Sequence, residues 1–90
     1  MKIIHEYFLS DYKDSYHSIP KNSKILSIQS KNNEICMWVL DDENEPTTER
    51  RFVVLNTCYN QINFDNLEFI DTVQLDDGNY IVHVFEYIDK

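Results

Sequence analysis

The sequence predicts an all-β domain, a small antiparallel meander of six to seven strands that closes as a barrel or a two-layer sandwich. Its 90 residues suit a single domain spanning residues 1–90 and are too few for two. The chain contains no alanine, the best helix former, whereas the strand-favouring Ile, Val, Tyr and Phe are abundant. Hydrophobic residues make up 42% of the chain, which is enough for a core, so we expect a folded protein.

The predicted strands follow one another along the chain. Short apolar or alternating runs predict strands at residues 2–8, 24–30, 34–41, 49–56, 67–75 and 80–88. Residues 9–18 are polar with spaced aromatics and predict a loop or a short edge strand, while residues 57–66 form the longest irregular segment. The run at 34–41 is apolar on both faces, which is typical of a central strand that is covered on both sides.

Turns between these strands are predicted from Pro, Asn, Asp and Gly. A proline presets φ in a turn at residues 19–23, and the asparagines of residues 31–33 tolerate positive φ in a hairpin connection. The acidic run 41–45 lacks the alternating oxygen ligands and central glycine of a calcium loop, so we expect a solvated turn there. Residues 76–79 contain Gly78, the only glycine, and predict a hairpin turn with positive φ at that position.

The charge balance is strongly acidic. Sixteen Asp and Glu against eight Lys and Arg give a net charge of −8. This balance disfavours direct binding of nucleic acid, which requires neutralisation of phosphates, and docking on anionic membranes. The first residues lack the apolar core of a signal peptide, and the longest apolar run, residues 35–40, is far too short to span a membrane. We therefore expect a cytoplasmic location.

The single glycine excludes the usual glycine-built sites. A Walker loop, a Rossmann fingerprint and a nucleophile elbow each require more than one glycine. The three His are scattered, and none has metal-ligand spacing to another His or to a Cys, so we expect neither a metal nor a cofactor. Cys36 and Cys58 are not a CxxC pair, and we expect both to be reduced, buried and inert. No catalytic residue is assigned.

The candidate ligand-binding residues combine the only two Arg with aromatic and hydrogen-bonding side chains. Arg50 and Arg51 point to opposite faces of a strand. One is expected to pair with Glu49 or the acidic loop 42–45, and the other offers a planar fork to a phosphate or carboxylate. Trp38 suits either the core or an aromatic wall for a base. The full candidate set is Trp38, Arg50, Arg51, Thr57, Tyr59, Gln61 and His83.

Several blocks of the chain resemble a small family of uncharacterised proteins that is common in bacteriophages and prophages. The blocks are residues 19–29, 33–41, 49–52, 56–57, 69–74 and 83–86. They occur in the family's order and span nearly the whole chain. The family carries a Gly-Thr-Gly-His type of segment after the Arg-bearing strand, where this chain has residues 56–59 as Asn-Thr-Cys-Tyr. The resemblance implies phage origin, hence the cytoplasm of an infected bacterial host, and a small β fold.

Three functions are consistent with these observations. The first is a non-enzymatic anti-defence protein that sequesters a nucleotide-derived immune signal, such as a cyclic ADP-ribose-like molecule, as a homo-oligomer through stacking and charge-assisted bonds. The second is an acidic inhibitor of a host defence protein or DNA-binding enzyme, which opposes a basic groove as a DNA mimic. The third is a hydrolase that uses Asp71 or Glu86 with His83. We favour the first, a binding protein and not an enzyme.

Overall fold

The computed structural model describes residues 1–88 and contains seven β-strands and two short 3-10 turns. The strands are β1 (Lys2–Leu9), β2 (Ser15–Pro20), β3 (Lys24–Lys31), β4 (Glu34–Asp42), β5 (Thr47–Asn56), β6 (Leu67–Leu75) and β7 (Tyr80–Tyr87). The 3-10 turns lie at Phe64–Asn66 and Asp76–Gly78. The all-β prediction is confirmed, and the polar stretch after β1 ends in the short edge strand β2. Since the helical segments of residues 1–88 are single turns, none is long and apolar enough to cross a membrane.

The strands form two open antiparallel sheets, consistent with a two-layer sandwich. One sheet has the order β1-β4-β3 and the other β2-β5-β7-β6. Only β3–β4 and β6–β7 are neighbours both in sequence and in a sheet, so the connections depart from those of a simple meander. The remaining pairs, β1–β4, β2–β5 and β5–β7, join strands that are separated along the chain.

The core lies between the two sheets and is built by alternate residues of each strand. The inner face of β4 contributes Ile35, Met37 and Val39, and β7 contributes Val82 and Val84. All five are buried. Because side chains alternate across a strand, the neighbouring residues of β4 and β7 point to the two outer surfaces.

The outer face of β4 departs from the prediction of a strand covered on both sides. Cys36 is buried there, but Trp38 and Leu40 are only half-buried. β4 is central, as predicted, since β1 and β3 flank it. Its apolar outer residues nevertheless meet solvent, because the second sheet of residues 1–88 packs on the other face.

The irregular segment 57–66 has a packing role. Ile62 from this segment packs against Val53, Leu55 and Leu67, which are buried on the outer face of the four-stranded sheet. The sandwich therefore has a small second cluster, and one end of that outer face is covered by the chain itself.

Asparagine, aspartate and glycine form the tight turns. Asn22, Asn32 and Asn33 have positive φ, as do Asp77 and Gly78 in the last hairpin. Gly78 has φ +87°, and a Cβ there would lie 3.2 Å from the side-chain Oε1 of Gln74. The hairpin turn predicted from this glycine is confirmed, and its backbone conformation explains why a glycine stands there.

Candidate functional site

Both arginines line one cleft. The cleft has a volume of about 930 Å³ and lies where the β2–β3 turn approaches the ends of β5 and β7. Lys21, Arg50 and Arg51 supply three cations to its wall, and Glu49, Glu68 and Glu86 supply three carboxylates. The walls are therefore close to neutral although the protein is acidic.

Arg50 is held by Glu86, not by Glu49 or the acidic loop. Its Nε and Nη2 donate to the two carboxylate oxygens of Glu86 at 2.6 and 2.7 Å, and its Nη1 donates to the Ser23 carbonyl at 3.2 Å. The hydrogen bond to Glu86 raises the pKa of Arg50 further above its ordinary value. A bidentate pair of this kind fixes the guanidinium in one orientation.

Arg51 points to the opposite face, as predicted, and pairs with Asp14. Its Nε donates to Asp14 Oδ2 at 2.7 Å, and its Nη2 contacts the same oxygen. The guanidinium lies 3.8 Å from the ring centre of Tyr87 and 5.5 Å from that of Tyr16. Its Nη1 makes no side-chain hydrogen bond within residues 1–88, and 42% of its side chain is exposed. Arg51 is therefore the more accessible of the two arginines.

The expected arginine partners were wrong. The predicted partners, Glu49 and the loop 42–45, lie near in sequence, whereas Glu86 and Asp14 reach the arginines through the pairing of β5 with β7 and with β2. Both forks recognise carboxylates of the protein itself. An anionic ligand at this cleft must compete with them or use the donors that remain free.

His83 and Thr57 are brought together on the outer face of the four-stranded sheet. His83 Nε2 lies 2.9 Å from Thr57 Oγ1, and His83 Nδ1 lies 3.0 Å from Thr72 Oγ1. A neutral imidazole donates to one hydroxyl and accepts from the other. Both ring nitrogens of His83 thus contact hydroxyl groups. Within residues 1–88, neither Asp71 nor Glu86 forms with His83 the dyad that was considered for a hydrolase.

Tyr59 and Gln61 are exposed on the irregular segment. Tyr59 lines a second cavity of about 470 Å³ together with Tyr80 and Tyr87. Tyr87 also lines the larger cleft, so the two cavities share one aromatic wall. Gln61 lines neither of these two cavities.

Trp38 lies apart from the other candidates. It is on the outer face of β4, in the three-stranded sheet, whereas the arginines lie on β5 in the other sheet. It therefore provides no wall for a base held by Arg50 or Arg51.

A buried polar cluster between the sheets was not predicted from the sequence. Asp41 has no exposed surface, and its Oδ2 accepts hydrogen bonds from Tyr7 Oη at 2.6 Å and from His5 Nδ1 at 2.9 Å. Its Oδ1 has no partner within residues 1–88. Burial opposes ionisation, but hydrogen bonding from Tyr7, with the nearby Ser23 hydroxyl and His5, outweighs it and lowers the pKa of Asp41.

The expectation of a solvated turn from residue 41 onwards is therefore wrong at Asp41, which is the last inward-facing residue of β4. The sequence signal was its position two residues after Val39, in phase with the buried side of the strand. His5 and Tyr7 have the same spacing on β1. Polar residues at inward-facing positions of two strands, His5 and Tyr7 on one and Asp41 on the other, could have indicated a buried hydrogen-bond network.

The two cysteines differ in environment. Cys36 is buried and Cys58 is exposed, so the prediction of two buried thiols holds only for Cys36. Burial, followed by the proximity of Glu6, raises the pKa of Cys36. In the part of the chain that the structure describes, no three His, Cys, Asp or Glu side chains are grouped to hold a metal ion.

Comparison with known proteins identifies a family. The model of a family described as Domain of unknown function (DUF7352) matches residues 1–90. No curated protein and no solved structure matches the chain.

Proposed function

The chain belongs to the family of domains of unknown function DUF7352, and we propose that it is a phage-encoded, non-enzymatic protein that sequesters a nucleotide-derived immune signal, such as a cyclic ADP-ribose-like molecule. It acts in the cytoplasm of the infected bacterium as a homo-oligomer. The observation that carries this proposal is the cleft of about 930 Å³ that is lined by both arginines. Its volume lies within the range of small-molecule sites.

The side chains of the cleft suit a ligand with both phosphate and sugar groups. Lys21 and Arg51 are the accessible cations, and Ser23, Thr48 and Asn66 add hydroxyl and amide groups that can bind a ribose. Tyr87 adds an aromatic face, although the guanidinium of Arg51 already covers part of it. A charge-assisted bond to a phosphate is about twice as strong as a neutral one. The Nη1 of Arg51, which makes no side-chain hydrogen bond within residues 1–88, is therefore the natural anchor.

The carboxylates of the cleft restrict the ligand. Glu49 and Glu68 are exposed beside the arginines, and they repel a highly charged ligand such as a nucleoside triphosphate. A ligand with one or two phosphates that are shared between esters is better accommodated. This charge pattern supports a cyclic or bridged nucleotide over a triphosphate.

Titration with nucleotide signals tests this function. The purified chain is titrated with cyclic ADP-ribose, ADP-ribose and cyclic dinucleotides, with binding followed by calorimetry and native mass spectrometry. We expect one of them to bind at micromolar concentration and to be recovered chemically unchanged. Arg51→Gln should weaken binding by about tenfold, whereas Lys24→Gln, on the other sheet, should leave it unchanged. Absence of binding across the panel would overturn the proposal, and so would equal losses in both variants.

A second function, an acidic inhibitor of a host defence protein or DNA-binding enzyme, is supported by a different observation. Both arginines are paired with carboxylates of the same protein, so the exposed surface is dominated by acids. Exposed acids in the loops and turns include Asp11, Glu43, Glu45, Asp65, Asp76 and Asp77. Such a field attracts a basic groove over distances comparable to the Debye length.

Affinity capture from host lysate distinguishes the two functions. The inhibitor function predicts recovery of a basic, DNA-binding protein at low salt and its loss at high salt, with competition by duplex DNA. Recovery of the same proteins by a variant in which Asp76 and Asp77 are replaced by Asn, and Glu43 and Glu45 by Gln, would rule out charge mimicry by these acids.

A further inference from the structure

β1 has the only regular, unprotected sheet edge among residues 1–88. β3 and β6 are also edge strands, but each has a register shift that interrupts its regular pairing, as a β-bulge does, and the two contact each other at the far side of the sandwich. The fourth edge strand, β2, has six residues and ends at Pro20. Bulges, short strands and proline are the usual means by which an edge avoids pairing with another chain. β1 has eight residues in unbroken register with β4 and contains no proline.

The backbone of β1 presents its even-numbered residues to the open side. The Met1 carbonyl accepts from the Glu43 N–H, which places the hydrogen-bonding groups of odd-numbered residues toward β4, because these groups alternate along a strand. The Phe8 carbonyl accepts instead from His17 Nε2 at 3.1 Å, as expected for an even-numbered residue that points away from β4. Within residues 1–88, no other group bonds to the outward N–H and C=O groups of Lys2, Ile4 and Glu6.

We propose that β1 pairs with β1 of a second copy of this chain, antiparallel about a two-fold axis at Ile4, and joins the two three-stranded sheets into one. The proposal names an interface for the homo-oligomer of the proposed function. It rests on the proposed function only in that the chain self-associates, and not on what the cleft binds. Two-fold pairing side by side keeps the inner faces of both sheets on the same side. Residues opposite each other must therefore both be even-numbered or both odd-numbered.

Charge complementarity selects the register. An axis at Ile4 places Ile4 opposite Ile4 of the partner subunit and Lys2 opposite Glu6 of the partner subunit, twice by symmetry. All of these residues have outward backbone groups, so each pair can exchange N–H···O=C bonds. Lys2, Ile4 and Glu6 also share the outer face of the sheet, where Lys31 lies 3.2 Å from Glu6. Opposite charges that face each other across strands are stabilising.

The alternative registers are less favourable. An axis at His5 places Lys2 opposite Phe8, whose carbonyl is occupied by His17. An axis at Glu6 places two glutamates opposite each other, which is repulsive. The register at Ile4 also brings together an exposed apolar residue from each copy, since Ile4 is 58% exposed. The strand that best complements the open edge of β1 is therefore β1 of a second copy.

A charge swap tests this interface without any ligand. Lys2→Glu and Glu6→Lys are each compared with wild type by size-exclusion chromatography with light scattering over a concentration series. We expect wild type to shift from monomer to dimer as concentration rises, and each single variant to remain monomeric over the same range. The double variant restores the opposite pairs and should dimerise again. Lys24→Glu, which changes the net charge by the same amount as Lys2→Glu, serves as the control.

Crosslinking tests the register directly. Ile4→Cys in a Cys58→Ser background places two thiols opposite each other at the axis, with Cα atoms about 5.5 Å apart, a distance that a disulfide accepts. We expect a covalent dimer on mild oxidation, and none from Lys2→Cys in the same background. Wild type that is monomeric at every concentration overturns the proposal, as does a double charge variant that does not dimerise. Neither result bears on whether the cleft binds a nucleotide.

Discussion

Tyr7 and Asp41 form a hydrogen bond of 2.6 Å on the inner face of the three-stranded sheet, from a phenol hydroxyl to a carboxylate with no exposed surface. The two residues lie on adjacent strands, β1 and β4, and His5 Nδ1 lies 2.9 Å from the same oxygen. A buried carboxylate is tolerated only when it is hydrogen-bonded, so this contact helps to hold β1 beside β4 in the three-stranded sheet.

Removal of the Tyr7 hydroxyl should destabilise the fold. In Tyr7→Phe, Asp41 stays buried and loses its shortest hydrogen bond, and bonds to charged groups contribute about 2 kcal/mol. Urea unfolding followed by circular dichroism should show this loss of unfolding free energy, without a change in how steeply that free energy depends on urea concentration. Tyr12→Phe is the matched control, because Tyr12 is 80% exposed. An equal stability of both variants would contradict the role assigned to the Tyr7–Asp41 contact.

Stability should fall at alkaline pH through Tyr7. Burial, with the hydrogen bond to Asp41 and its charge, raises the pKa of Tyr7 from 10.0 to about 12. The folded state thus keeps a proton that the unfolded chain releases, so stability is complete below pH 10 and decreases as pH rises toward 12. Burial also raises the pKa of Tyr87. Tyr7→Phe should therefore reduce the loss of unfolding free energy with rising pH but not abolish it. If Tyr7→Phe lost as much stability between pH 10 and pH 12 as wild type, the loss could not be attributed to Tyr7.

At acidic pH the relevant group is Asp41. Although burial opposes its ionisation, hydrogen bonding lowers its pKa below the ordinary 3.8. Its contribution is therefore present above pH 3.8 and decreases as pH falls toward the folded-state pKa. Asp41→Asn should be less stable than wild type at pH 7, and this difference should narrow at low pH. Thermal melts between pH 2 and pH 7 measure both, with Asp65→Asn, an exposed acid, as control.

Glu86 should be more important for stability than any exposed glutamate. It lies in a bidentate pair with Arg50, with only 15% and 21% of the two side chains exposed. Glu86→Gln leaves the arginine charge poorly compensated, and we expect a loss of about 2–3 kcal/mol. The double variant Arg50→Gln, Glu86→Gln should lose less than the sum of the single variants. Glu45→Gln, at an exposed position, should be neutral, and strict additivity of the pair would show that the two groups are uncoupled.

The two thiols should react at different rates. Cys58 is exposed, whereas Cys36 is buried with a raised pKa, and the thiolate is the reactive form. A thiol reagent at pH 8 should modify one equivalent rapidly and the second only after denaturant is added. Cys58→Ser should remove the rapid phase. Two rapid equivalents in wild type would mean that the outer face of β4 opens readily.

The strands were largely predictable because their signals are local. Alternation and turn chemistry act within a few residues, so the run 80–88 and the hairpin at Gly78 could be recognised without knowledge of the rest of the chain. The partners of the strands were not predictable in this way. β1 pairs with β4 and β2 with β5, and these pairings depend on how two apolar faces close on each other.

The candidate site was less predictable than the fold for the same reason. Arg50 and Arg51 were recognised as unusual from composition, and both line the candidate cleft. Their carboxylate partners, Glu86 and Asp14, are 36 and 37 residues away. The burial of Asp41 was not predicted because four further polar or acidic residues follow it. That run indicated a solvated turn, although Asp41 is in phase with the buried residues of β4.

The pairing of β1 with β4 also has a consequence for biosynthesis. Lys2–Leu9 leaves the ribosome well before Glu34–Asp42, so the first strand has no sheet partner until β4 has also been made. Long-range pairings close slowly, because loop entropy is lost before contacts form, and folding of such sheets takes milliseconds to seconds. During that interval β1 is an unpaired strand in a crowded cell. Its charged residues, Lys2 and Glu6, then act as gatekeepers against aggregation.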